Sequence, residues 1–153
     1  MSPTNNPDAL VTDANIIISV CSKEPTAATV KNVLKTRANN GWEFYAPNII
    51  VAEVLYIFCR KLQNNLLTPR SYEEAIENFQ DQMKVIQTPA DAQYIKRAKE
   101  IQNGYGCSRS ADSLYLALAE DLAKTRTVEL LTFDKGMINQ AAKNAPTVTV
   151  KVL

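Results

Sequence analysis

Apolar residues fall along the chain in short runs that alternate with longer amphipathic stretches, and turn residues separate them. Residues 10–12 are a brief apolar run ending in Asp13-Ala14-Asn15 and followed by Ile16-Ile17-Ile18, which predicts a buried strand turning directly into a helix. A helix is expected over about 26–38, then a turn at Asn39-Asn40-Gly41, then a second strand over 43–46. Pro47 suits the first turn of the next helix, over about 48–62. That helix is apolar on nearly all sides, so it is expected to be central. After the polar break Gln63-Asn64-Asn65, residues 69–83 read as an amphipathic helix and Val85-Ile86 as a third strand. Pro89 opens a charged surface helix over 90–102 that stops at Asn103-Gly104, and Ser110 is placed to cap a helix running to about Ala123. The last units are a strand over 128–133, a helix over 134–143, and the alternating Val148, Val150 and Val152 as a terminal strand.

Strands alternating with helices throughout predict an α/β fold, a mostly parallel central sheet flanked by helices on both faces. Any site is then expected outside the carboxyl ends of the strands. At 153 residues and 46% hydrophobic content, one domain over 9–153 is expected, preceded by a flexible segment over 1–8. No apolar run approaches the roughly 20 residues of a membrane span, and the polar start lacks the features of a signal peptide, so a cytoplasmic protein is expected.

Composition narrows the chemistry. The chain has no histidine, which removes Ser-His-Asp and Cys-His nucleophile systems and histidine acid-base pairs. Cys21, Cys59 and Cys107 form no C-x-x-C pair and read as buried thiols. A net charge of +1 argues against bulk electrostatic adhesion to nucleic acid while leaving room for a local basic rim.

Acids then become the candidates. Asp13 directly follows the first strand, where a carboxylate either projects into a site crevice or caps the next helix. Glu53 is the one ionisable side chain between Glu43 and Arg60, in an otherwise apolar helix, and needs a cation, a metal or a raised pKa. A salt bridge to Arg60 or a distant lysine is its plain structural alternative. Asp112 shares an inward helical face with Leu116 and Ala119, or else is a first-turn acid favoured by the helix dipole. Asp134 ends a second strand-to-helix junction, again as ligand or cap. Two acids at strand ends and two on inward helical faces can converge on one crevice, where they would repel one another unless cations bind. Hard oxygen ligands select Mg²⁺ or Mn²⁺, the ions that activate water and neutralise a phosphodiester under in-line attack.

Four segments, in order, carry a resemblance: Leu10-Val-Thr-Asp13-Ala-Asn15; Tyr45-Ala-Pro-Asn-Ile-Ile-Val-Ala-Glu53-Val; Arg109-Ser-Ala-Asp112-Ser-Leu-Tyr-Leu-Ala-Leu-Ala; and Leu131-Thr132-Phe133-Asp134. Together they resemble the PIN domain, and especially VapC-type toxins of bacteria and archaea. The resemblance implies a metal-dependent ribonuclease with Asp13, Glu53, Asp112 and Asp134 as its acidic, metal-binding site, and Asn15 and Thr132 as supporting polar groups. It also implies a homodimer and, for the toxin branch, a small antitoxin that places a basic side chain in the acidic pocket. Lys135 follows Asp134, so a fifth carboxylate carried nearby by some relatives is not evident, and Ser110 and Ser113 stand where many relatives have smaller residues.

The expected products are 5′-phosphate and 3′-hydroxyl ends. Arg109, close before Asp112, is a candidate contact for a substrate phosphate, with solvated arginine as the bland reading. Lys96-Arg97-Lys99 reads as a solvated face rather than an RNA track. A phosphoacceptor receiver usually needs two adjacent acids after its first strand, and a haloacid-dehalogenase-like phosphatase needs a second aspartate where Asn15 stands. Both are disfavoured, which leaves a PIN-like RNA- or protein-binding module without turnover as the alternative.

Overall fold

Strand β1 (Ala9–Thr12) is buried along its whole length because it runs through the middle of the sheet with a helical layer on each face. The structure, a computed structural model, describes residues 6–107 and 111–153. After β1 come α1 (Ala14–Cys21), α2 (Ala27–Asn39), β2 (Glu43–Tyr45), α3 (Ile50–Gln63), α4 (Pro69–Met83) and β3 (Ile86–Gln87). A 3₁₀ turn (Asp91–Tyr94) leads into α5 (Ile95–Gly104), followed by α6 (Asp112–Ala123), β4 (Val128–Thr132), α7 (Gly136–Asn144) and β5 (Thr149–Val152). The strand order is β3-β2-β1-β4-β5, and every described pairing is parallel, so the sheet is wholly parallel where a mostly parallel one was expected.

Side-chain alternation along β1 and β4 separates two cores. Ala9, Val11, Val128 and Leu130 pack with Tyr115, Leu116 and Leu118 of α6 and Met137 of α7. Leu10 and Leu131 point the other way, onto Ile16, Val20 and Val30. Beyond that second face, Ile50, Val54 and Phe58 of α3 meet Ala75 and Phe79 of α4. The chain leaves β1 towards β2 on one side and returns as β4 on the other, so the strand order reverses beside β1. In such sheets this reversal opens a crevice at the carboxyl ends of the strands.

Several sequence expectations are corrected. Helix α3 is not central: Val51, Leu55 and Tyr56 are 42%, 43% and 62% exposed, because only the Ile50-Val54-Phe58 stripe meets the core. Pro47 precedes that helix rather than opening it, its carbonyl accepting from Ile50 N at 3.0 Å to make a lead-in turn. Cys21 is buried as expected, but Cys59 and Cys107 are exposed, one on the outer side of α3 and the other beyond α5. Arg97 is only partly solvated. Its guanidinium grips Glu120 at 2.6 and 2.8 Å and donates to the Asn144 carbonyl at 2.7 Å, tying α5 to α6 and to the end of α7. Lys96 and Lys99 are exposed. The expected cap Ser110, the candidate Arg109 and the first five residues lie outside the described residues.

At the amino ends of the strands, charge is paired. Arg37 forks onto Glu129 at the start of β4, Nη2 to Oε2 at 2.8 Å and Nε to Oε2 at 3.1 Å, and stacks 4.9 Å from the Trp42 ring. Arg126 donates to Glu43 Oε1 at 3.4 Å and to the Tyr45 hydroxyl at 3.2 Å. No described helix is long and apolar enough to cross a membrane.

Candidate active site

The parallel register sets the site. Thr12 pairs with Leu131, and Asp13 N donates to Leu131 O at 3.0 Å, so the ends of β1 and β4 lie side by side at the strand reversal. Asp13, only 7% exposed, keeps extended backbone geometry and caps α1, its Oδ1 accepting from Ala14 N at 2.7 Å. Its other oxygen turns across the crevice and accepts from Thr132 Oγ1 at 2.7 Å. The two readings of this aspartate therefore coexist, since one carboxylate oxygen caps the helix and the other reaches across to β4.

Thr132 is a hub. Fully buried, its hydroxyl donates to Asp13 and accepts from Asp134 N at 3.0 Å, which fixes the backbone that presents Asp134. Asn15 completes the link: its Nδ2 lies 3.4 Å from both Asp13 Oδ2 and Thr132 Oγ1, and its Oδ1 accepts from Phe133 N at 3.3 Å. Asp134 is exposed and folds onto the first turn of α7, accepting from Gly136 N at 2.8 Å.

Glu53 comes from α3 and Asp112 from the first turn of α6. Glu53 is half-buried and accepts from the buried Tyr115 hydroxyl at 2.7 Å. Its expected alternative, a bridge to Arg60 or a lysine, is not formed among the described residues.

Electrostatics show that these acids share one neighbourhood. Burial raises the Asp13 pKa to about 6, the Thr132 hydrogen bond pulls it down, and the charges of Asp112 and Asp134 push it up again. Burial likewise raises Glu53, opposed by its bond from Tyr115 and reinforced by the charges of Asp13, Asp112 and Asp91. The Tyr115 hydroxyl is held strongly protonated by burial and by Glu53. Neither Asp13 nor Glu53 has a basic partner among the described residues.

Two neighbours escaped the sequence reading. Tyr115 lies in the third of the four segments with no role given to it, and only its position one turn after Asp112 hints at a polar task. Asp91 falls at the start of the helix expected over 90–102 and is likewise given no role. Its carboxylate accepts from Asn48 N at 2.8 Å and its charge reaches Glu53.

Asp13 and Asp134 thus follow neighbouring strand ends at the strand reversal, where an α/β sheet opens a crevice. A profile of the PIN domain matches residues 10–144. The chain belongs to the PIN-domain family. VapC-type members are typically nucleases, and the family generally uses divalent metal ions. In fold this PIN domain is similar to a chain in the crystal structure of VapBC2 from Rickettsia felis bound to a DNA fragment from their promoter. The TM-score is 0.66 at 15% identity, covering 94% of this chain and 98% of that one. No curated protein matches the sequence.

The donor chemistry of this PIN domain fits a hard divalent cation: carboxylates, a hydroxyl and a carboxamide, with a desolvated aspartate lacking a counter-charge among the described residues. As the side chains stand, no three acidic or thiol groups among the described residues close around one point tightly enough to hold an ion. Asp13 is turned onto Thr132 and Ala14, and Glu53 onto Tyr115, so binding would require these oxygens to be shared or the more exposed Asp134 to swing inward.

Proposed function

We propose that this PIN domain is a Mg²⁺- or Mn²⁺-dependent endoribonuclease that hydrolyses RNA to 5′-phosphate and 3′-hydroxyl ends, the toxin of a toxin–antitoxin pair. The observation that carries the reading is Asp13: a buried carboxylate close to the charges of Asp112 and Asp134 has hydrogen bonds from Thr132 and Ala14 N but no basic partner among the described residues, and a bound cation would supply the counter-charge. Asp13, Glu53, Asp112 and Asp134 would hold the ion. When bound, it supplies a water acidic enough to attack phosphorus at neutral pH and positive charge facing the departing 3′ oxygen.

The remaining tasks fall to the chain's own groups. Thr132 and Asn15 fix the Asp13 oxygens and the β4–α7 junction, so the acids from two strands keep one geometry. Tyr115 orients Glu53 and does not compete as a base, since its proton is held. A cognate antitoxin and a homodimer belong to the same reading, and the exposed apolar face of α3 at Val51, Leu55 and Tyr56 is the kind of surface a protein partner covers.

The test is to incubate the protein with labelled single-stranded RNA and Mn²⁺ or Mg²⁺, with EDTA and Asp13→Asn as controls, and to map the ends. Cleavage to 5′-phosphate ends, lost in both controls, is the expected result. A 2′,3′-cyclic phosphate would sink the mechanism, because the RNA's own 2′ hydroxyl would then have been the nucleophile. Bound metal with intact RNA across varied substrates would favour the binding module without turnover.

A further inference from the structure

A large groove lies not over Asp13 but beside it, running from Glu53 along α5. It is a groove of about 740 Å³ with Ile49, Ile95 and Leu114 among its apolar walls, and Lys99, Gln102 and Asn103 along its α5 side. Lys99 is the sole cation among the described residues that lines it, is exposed, and makes no ion pair among those residues. Arg97, two residues earlier on the same helix, is held by Glu120 and Glu100, so it and Lys99 have parted roles.

An acidic centre repels a polyanion everywhere except at the bound ions, so a nucleic-acid strand needs positive charge where it leaves that centre. The groove begins at the carboxylate Glu53 and, among the described residues, carries one ammonium, that of Lys99, with no ion pair. Its size is within the roughly 300–1,000 Å³ range of pockets that enclose small ligands, ample for a nucleotide. An apolar wall faced by side-chain amides suits an unstacked base, whose faces are apolar and whose edges hydrogen-bond.

Resting on the ribonuclease reading, we propose that this groove is the subsite for the single-stranded RNA nucleotide flanking the scissile phosphate. Lys99 is its phosphate-positioning residue, and Gln102 and Asn103 face the base edge. Lys99 acts on binding and Gln102 and Asn103 on choice of sequence, and none of them takes part in the chemical step.

The experiment measures kcat, KM and salt dependence of Mn²⁺-dependent cleavage of a mixed-sequence single-stranded RNA by wild type, Lys99→Gln, Lys99→Arg, Asn103→Ala and the remote control Lys31→Gln. In parallel, anisotropy records binding of the same labelled RNA to each variant in an Asp13→Asn background. Lys99→Gln is expected to raise KM and Kd about 3- to 10-fold with kcat unchanged and to lower the slope of log affinity against log salt by about 0.7. Lys99→Arg restores both, and Asn103→Ala alters the ranking of cut sites. Lys99→Gln indistinguishable from Lys31→Gln overturns the inference while leaving the nuclease reading intact. RNA bound but never cut removes the nuclease reading and leaves the subsite to be judged on the binding data, whereas RNA neither cut nor bound removes both. If Ile95→Glu changes the mass in solution by light scattering while Lys99→Gln leaves RNA affinity untouched, the groove is a protein contact and the proposal fails.

Discussion

The two ends of the sheet treat charge in opposite ways. At the amino ends Arg37 forks onto Glu129 and Arg126 reaches Glu43, so each acid faces a base across a short distance. At the carboxyl ends the charges of Asp112 and Asp134 reach Asp13 and those of Asp13 and Asp112 reach Glu53, and neither Asp13 nor Glu53 has a base among the described residues. The same strands carry both ends, so backbone geometry does not account for the contrast. The paired end joins α2 to β4, whereas the unpaired end stores repulsion that a cation can relieve. Perturbed acids concentrated in a cleft are the physical mark of a working site, and paired ones are the mark of scaffold.

The contrast can be broken most forcefully at Asp13. Asp13→Asn or Asp112→Asn is expected to lower RNA cleavage by at least about 100-fold, measured on labelled substrate, with no loss of metal-free melting temperature for Asp13→Asn. Removing a base from the paired end should do the reverse. Arg37→Met leaves Glu129 half-buried and alone, and urea unfolding is expected to show about 1–3 kcal/mol of lost stability with cleavage per folded molecule unchanged.

The pH dependence of stability sharpens the same point. The Asp13 pKa is about 6 in the folded protein and 3.8 as its ordinary value, so the folded state binds the extra proton between these values. In EDTA, wild type should gain stability relative to Asp13→Asn as pH falls through about 6, levelling off below about 4, by roughly 1–3 kcal/mol in all. A relative loss over that window would mean that Asp13 has a counter-charge after all. Smaller still is the effect of Tyr115→Phe: freeing Glu53 from its donor is expected to cut kcat about 3- to 10-fold while leaving the substrate KM in place.

How much of this was legible beforehand depended on the kind of signal. The parallel sheet and the places of Asp13 and Asp134 directly after strands followed from short apolar runs ending in acids, whereas the strand order that sets β4 beside β1 is a long-range property with no local signal. Helix α3 was misplaced because apolar residues around a helix say that it wants cover, not that another element of the same chain supplies it. Arg97 was misread since its partners Glu120 and Asn144 are on other helices, beyond the reach of local pattern. Tyr115 carries the same lesson: an aromatic on an inward face reads as packing until the carboxylate at its tip is known.

The bond from Thr132 to Asp13 joins residues 119 positions apart, and β1 gains its second neighbour only when β4 arrives. At roughly 5–20 residues per second, translation delivers Thr132 about 6–24 s after Asp13 has been made. A chain still growing on the ribosome therefore has Asp13 long before the strand that anchors it, and the arrangement of acids around Asp13 waits on the arrival of β4.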